Sequence, residues 1–295
     1  MAEPTLNYVP CADVNGPRRM AYWQWGAADA AHTVVCVHGL SRQGRDFDVL
    51  AQSLVARSAK PIRVVCPDVA GRGQSDWLTD PAGYAVPVYA ADMLGLLLHL
   101  KPVTLAWVGT SMGGLIGLAV AAHAQSVGVA VRRLVLNDVG PVIEWSSLQR
   151  IGAYLGRAPS FESLQQAADA MWAISSSFGP HTPAQWLELS RHMVKPLHDG
   201  RVGMHYDPAI AVAFRAVTEE LAAAGQAQLW ALYDGLTADT LLVRGEDSDL
   251  LSKTTAQAMT QRGPKARLVE FAGVGHAPTL IAPDQLDAVG SFLLG

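Results

Sequence analysis

The spacing of hydrophobic positions along the chain changes repeatedly, and each change predicts an element. Near-continuous apolar runs at residues 32–37 (HTVVCV), 62–66 (IRVVC) and 103–108 (VTLAWV) suit strands covered on both faces, where polar alternation is not required. Residues 6–9 and 19–25 open the chain as two further strands, and 133–137, 240–243 and 267–271 follow later. Between these runs the period becomes helical. Phe47, Leu50, Ala51 and Leu54 form one apolar stripe within 47–57, and helices are also predicted at 87–99, 114–123, 254–262 and 283–294. Strand and helix in alternation predict βαβ units, hence an α/β fold with a mostly parallel central sheet and helices on both faces. From Pro141 to about Leu236 no β-rich run is evident, and helical segments follow one another at 161–174, 183–194 and 208–217. This pattern predicts a core of residues 1–140 and 237–295 carrying an inserted helical cap at 141–236.

Candidate chemistry sits where the predicted strands end. The run 103–108 leads directly into Gly109-Thr110-Ser111-Met112-Gly113, followed by the small-residue helix GGLIGLAVAA. A G-x-S-x-G sequence between strand and helix leaves room for a sharp, strained turn that exposes the serine hydroxyl. The helix start beyond Ser111 offers unpaired N–H groups and a positive dipole end, so the Met112 N–H is a candidate oxyanion donor. His38-Gly39-Leu40 ends the strand at 32–37, where a glycine lets the backbone turn and present the Leu40 N–H as a second donor.

A serine hydroxyl needs a base, and histidine serves because it titrates near neutrality. Of nine histidines, His276 lies in a glycine-rich loop (GVGHAP) between the last predicted strand and the last helix, the end of a sheet that delivers functional loops. His123 reads as a helix-surface residue, and His181, His192, His198 and His205 fall in the predicted cap and receive no role. A carboxylate must orient the imidazole, and where a G-x-S-x-G serine sits on a strand-to-helix turn the chain order is serine, acid, histidine. The loop after strand 240–243 offers Glu246, Asp247 and Asp249. We favour Asp249, with Asp247 second.

Composition narrows the function classes. The chain has 295 residues, 50% hydrophobic and 16% charged, which suits a large packed core and excludes a disordered chain. The net charge of −4 and the absence of a Lys/Arg cluster argue against nucleic acid as a partner. Cys36 and Cys66 lie inside strand-like runs, and all three cysteines are expected as reduced thiols. Met1 to Pro10 lacks the pattern of a secretory leader, and the most apolar stretch, around residues 93–100, falls short of the roughly 20 residues a membrane span needs. A cytoplasmic location without membrane association is therefore expected. No histidine, cysteine and carboxylate pattern suits a metal, so neither metal nor cofactor is expected.

Together VCVHGL, CPDVAGRGQSDW, VGTSMGG, LLVRGEDSDLLS and GVGHAP resemble the ordered motifs of the α/β-hydrolase superfamily, in the branch with a helical cap. The resemblance spans nearly the whole chain. It implies Ser111, Asp249 and His276 as a catalytic triad, Leu40 and Met112 as oxyanion hole, and residues 68–76 as a mainly structural turn. Family members commonly carry the acid three residues after the strand-ending glycine, which here is Ser248. Some relatives place it after the preceding strand, which makes Asp138 a third candidate.

A serine at position 111 speaks against haloalkane dehalogenase and epoxide hydrolase chemistry, which needs a carboxylate nucleophile. The expected activity is a serine carboxylesterase acting on small, largely apolar esters, extending to lactones or short aliphatic polyesters. Trp145, Trp172, Trp186 and Trp230 are candidates to roof an apolar pocket. The alternatives are a carbon–carbon hydrolase of dienol-type ring-cleavage products, with Arg150, Arg157, Arg191 or Arg201 holding a substrate carboxylate, and a non-catalytic ligand-binding protein on the same scaffold. The expected partner is a small-molecule ester, and the expected assembly a monomer or homodimer.

Overall fold

A computed structural model describes residues 3–13 and 16–295. Met1 and Ala2, part of the segment read for a leader, lie outside the described residues. The core contains strands β1 (Thr5–Cys11), β2 (Arg18–Gly26), β3 (His32–Val37), β4 (Ile62–Pro67), β5 (Thr104–Thr110) and β6 (Val131–Asn137), with helices α1 (Asp48–Arg57), α2 (Val86–Leu100) and α3 (Met112–His123) between them. A long segment follows, with α4 (Trp145–Tyr154), β7 (Ser160–Phe161), α5 (Leu164–Ser175), α6 (Pro183–Arg191), β8 (Val194–Pro196), β9 (Val202–Met204), α7 (Ile210–Arg215) and α8 (Glu219–Asp234). The core pattern then resumes with β10 (Asp239–Gly245), α9 (Lys253–Met259), β11 (Arg267–Phe271) and α10 (Pro283–Leu294).

Eight strands form one sheet in the order β1-β2-β4-β3-β5-β6-β10-β11. The pairs β1/β2 and β2/β4 are antiparallel, and every later pair is parallel. The unbroken apolar runs follow from cover on both faces. Val35, Val37, Leu105 and Trp107 pack among α2 and α3 on one face, whereas Val34, Cys36, Ala106 and Val108 pack with α1 and α10 on the other. Successive side chains of a strand point to opposite faces, so a doubly covered strand needs apolar residues at every position. Cys11, Cys36 and Cys66 are buried free thiols.

The segment between β6 and β10 holds five α-helices, but it is not purely helical as expected. β7, β9 and β8 form a small antiparallel sheet. Strands of two or three residues are too short to show a two-residue period, and Val194, expected at the end of a helix, begins β8 instead. This segment has its own packed cluster of Ala167, Ala168, Met171, Trp186 and Met193. It is tied to the turn at 68–76 through backbone hydrogen bonds from Gly73 N to His205 O (3.1 Å) and from Asp207 N to Gly71 O (2.7 Å). The Tyr84 hydroxyl adds a bond to Asp207 at 2.5 Å. Among the described residues, no helix is long and apolar enough to cross a membrane.

Candidate active site

β5 ends at Thr110 and α3 begins at Met112, leaving Ser111 alone on the turn with φ 52° and ψ −118°. That left-handed backbone is costly for a residue with a Cβ and is held by its surroundings. Ser111 N–H donates to Asn137 O at 2.9 Å, and Ser111 C=O accepts from Gly114 N–H at 2.8 Å. The flanking glycines are required by close approach. A Cβ at position 109 would lie 2.3 Å from the Gly113 oxygen, and one at 113 would lie 2.0 Å from the Val37 oxygen.

Ser111 Oγ lies 2.9 Å from His276 Nε2, and His276 Nδ1 lies 2.7 Å from Asp138 Oδ2. With the Nδ1 proton directed at the carboxylate, Nε2 is left to accept the serine proton. Asp138 is fully buried, and its charge is met by three donors. Gly245 N–H reaches Oδ1 at 2.9 Å, while the Ser248 hydroxyl at 2.6 Å joins His276 on Oδ2. Asn137 braces the arrangement from below, its Nδ2 donating to Thr110 Oγ1 (3.0 Å) and Pro278 O (2.8 Å).

The acid is where the structure departs from the favoured reading. Asp249 is engaged elsewhere, in a bidentate pair with Arg150, Nε–Oδ2 2.8 Å and Nη2–Oδ1 3.0 Å, at a half-exposed position. Asp247 is exposed as well. The physical reason lies at Ser248. A hydroxyl there cannot act as the charged partner of His276, but it can donate to a carboxylate arriving from the neighbouring strand. β6 pairs with β10 so that Asn137 stands opposite Val243, which brings Asp138 beside the loop after β10. The available signal was Ser248 at the usual acid position together with an aspartate directly after β6.

Sequence reasoning gave no role to His38 and regarded the turn holding Arg72 as structural, yet both shape the loop at Leu40. His38 is fully buried, donates from Nδ1 to Gly39 O (2.7 Å) and accepts at Nε2 from Val69 N–H (2.9 Å). Burial pushes its pKa down to about 3, so the ring is neutral. Arg72, also fully buried, donates from Nε to Leu40 O at 2.8 Å and from Nη1 to Ala70 O and the Tyr89 hydroxyl. Its Nη2 lies 3.6 Å from Met112 Sδ, so one guanidinium touches both residues expected to supply oxyanion donors.

A model of the alpha/beta hydrolase family matches residues 34–289. The chain is an α/β hydrolase. It is 46% identical over 297 residues to the 3-hydroxybutyrate-oligomer hydrolase of Cupriavidus necator, covering 100% of this chain and 99% of that one. It is similar to the crystal structure of an alpha/beta hydrolase from Novosphingobium aromaticivorans, with TM-score 0.84, 34% identity and 99% coverage of both chains. A 2-(acetamidomethylene)succinate hydrolase of Mesorhizobium japonicum is 25% identical over 258 residues, 87% of this chain and 86% of that protein. These matches establish an esterase-type hydrolase.

Two cavities of this hydrolase meet at Ser111. The larger, about 700 Å³, is walled by apolar residues of α4, α7 and α8, including Trp145, Phe214 and Leu229, with Met112 also in its lining. The smaller, about 120 Å³, is lined by His276 with Arg42, Arg150, Tyr154 and Thr279. Leu40, Ser111 and Ile151 line both. Of the four tryptophans expected in a roof, Trp145 lines a cavity. Trp172 and Trp186 pack edge to face at 5.0 Å inside the segment's own cluster, and Trp230 carries the Arg262 guanidinium 3.9 Å above its ring. Among the described residues, no three His, Cys, Asp or Glu side chains are grouped to hold a metal ion.

Proposed function

We propose that this hydrolase cleaves carboxylic esters through an acyl-enzyme on Ser111, with His276 as general base and acid and Asp138 as the orienting carboxylate. The observation that carries the reading is the unbroken hydrogen-bonded line from Ser111 Oγ through His276 to buried Asp138, at the junction of the two cavities. His276 takes the serine proton as Oγ adds to the ester carbonyl, and Asp138 stabilises the imidazolium that results. The N–H groups of Leu40 and Met112 receive the developing oxyanion. Met112 is the first residue of α3, so its N–H has no intrahelical partner. The Leu40 N–H belongs to the Gly39–Leu40 peptide, whose carbonyl accepts the His38 proton, and this hydrogen bond polarises the peptide toward stronger donation.

Residues 141–236 serve in this reading as a cap that encloses the acyl site, with 1–140 and 237–295 as the catalytic core. The substrate class we assign is short aliphatic polyesters of hydroxy acids, supported by the 46% identity to the 3-hydroxybutyrate-oligomer hydrolase and by the apolar walls of the larger cavity. The same observations support ester hydrolysis over carbon–carbon cleavage. Of the four arginines considered for that alternative, Arg191 and Arg201 line neither cavity.

The test combines a fluorophosphonate label located by mass spectrometry with turnover of p-nitrophenyl esters and of a 3-hydroxybutyrate trimer. Label on Ser111 and loss of both activities in Ser111→Ala are expected. A Ser111→Ala variant that still hydrolyses esters would exclude this nucleophile.

A further inference from the structure

The two cavities differ in size, polarity and relation to His276, and these differences fix a direction for the substrate. During acylation Ser111 Oγ bonds to the ester carbonyl carbon and the bond from that carbon to the alcohol oxygen breaks. The proton that His276 took from the serine passes to that oxygen, which must therefore lie within hydrogen-bond reach of Nε2, about 2.6–3.2 Å. His276 lines the smaller cavity but not the larger. The alcohol half of the ester consequently leaves through the smaller cavity, and the acyl half extends into the larger.

Size sets how much of a chain each side takes. A dry cavity of about 150 Å³ holds benzene, a group of about six carbon atoms. The smaller cavity, about 120 Å³, therefore takes about one short hydroxy acid unit, whereas the larger, about 700 Å³, takes several. In an oligomer of hydroxy acids the alcohol half of the last ester is the terminal unit bearing the free carboxylate. Arg150 of α4 lines the smaller cavity. Its Nε and Nη2 pair with Asp249, which orients the guanidinium, it also bonds to Tyr154 in the same lining, and it carries further N–H donors on Nη1 and Nη2. Arg150 and Asp249 are both half exposed, so solvent screens both charges, and the carboxylate that lines the smaller cavity, Asp46, is already paired with Arg42 at 2.6 Å.

We propose that the enzyme removes single hydroxy acid units from the carboxyl end of its substrate, with the terminal carboxylate recognised by Arg150 in the smaller cavity and the remaining chain held as the acyl group in the larger. This inference rests on the ester-hydrolase reading above. Acylation releases one free hydroxy acid. Water then adds to the acyl-enzyme, releasing the shortened oligomer as a carboxylic acid and returning the proton to Ser111.

A 3-hydroxybutyrate trimer with ¹³C confined to its carboxyl-terminal unit tests the direction, with products read by mass spectrometry in the first few per cent of turnover. Labelled monomer and unlabelled dimer are expected. Unlabelled monomer with labelled dimer, or an even mixture, overturns the proposal while leaving ester hydrolysis intact. A trimer left uncut by an enzyme that still cleaves p-nitrophenyl esters overturns both this proposal and the polyester reading. The assignment to Arg150 is tested separately by comparing the trimer with its carboxyl-terminal methyl ester. The free acid is expected to have kcat/KM about tenfold higher or more, as one charged hydrogen bond supplies. In Arg150→Met that ratio is expected to approach one, and an unchanged ratio removes Arg150 from recognition.

Discussion

Asp138 and Asp249 illustrate how little a residue's type says about its role until its neighbours are known. Both follow strands of the same sheet, yet Asp138 is buried under Gly245, Ser248 and His276 while Asp249 faces solvent beside Arg150. Asp138→Asn keeps the shape but presents an amide where the imidazole proton must be accepted. In a Ser-His-Asp site such a change lowers kcat about 10⁴-fold, and a loss of that order is expected here. Asp249→Asn is expected to lower kcat on a p-nitrophenyl ester far less, because it does not touch His276. Steady-state kinetics of the two variants side by side decide the assignment, and the reverse order of effects would return the acid role to Asp249. That Ser111 and His276 come together was legible in the sequence, because each stands in a glycine-bounded loop at a strand end, and the structure sets them 2.9 Å apart. The carboxylate that reaches His276 was only the third candidate, because which one does so depends on the lateral pairing of β6 with β10, a contact more than a hundred residues apart in the chain.

At the level of elements, strands covered on both faces were the most legible, since an unbroken β-branched run bounded by turn residues suits little besides a buried strand. The short strands β7, β8 and β9 left no such trace, and the helix expected at 183–194 stops at Arg191 because the chain turns into β8. Helix α8 offers a test of what the larger cavity does. Gly225 sits within α8 and lines that cavity, and a Cβ built there meets no atom within 4 Å. A glycine inside a helix costs about 1 kcal/mol relative to a good helix former. Gly225→Leu is therefore expected to hold or raise Tm while filling space reserved for a long acyl group. Across a p-nitrophenyl ester series, kcat/KM for octanoate should fall about tenfold or more relative to acetate. This corresponds to the roughly 1–3 kcal/mol scale on which a pocket discriminates hydrophobic groups. Equal loss on both esters would place the acyl chain elsewhere.

For the molecule as a whole, the α/β class was readable from alternating periods, but the strand order was not. The crossover that puts β4 between β2 and β3 depends on contacts no local pattern encodes. The buried polar groups at the ends of those central strands also couple the fold to pH. His38, neutral and enclosed, has its pKa pushed down by burial from 6.5 to about 3, with the nearby Arg72 and Arg42 charges acting the same way. Between those values the unfolded chain binds a proton that the folded one does not, so this group makes stability rise with pH and fall on acidification. Asp68 acts in the opposite direction. Burial raises its pKa from 3.8 to about 6 although Gly44 N–H, Gln74 N–H and the Trp23 indole donate to it, so the folded chain holds the extra proton and stability falls as pH rises through that window. Each contributes a slope of about 1.4 kcal/mol per pH unit, and between about pH 4 and 6 the two cancel. Substitution exposes each in turn. Relative to wild type, His38→Asn should lose about 1.4 kcal/mol of unfolding free energy per unit as pH rises from about 4 to 6, whereas Asp68→Asn should gain about as much. Urea denaturation at half-unit intervals measures both differences. Flat differences for the two variants would mean that neither buried group changes its protonation with folding in this range.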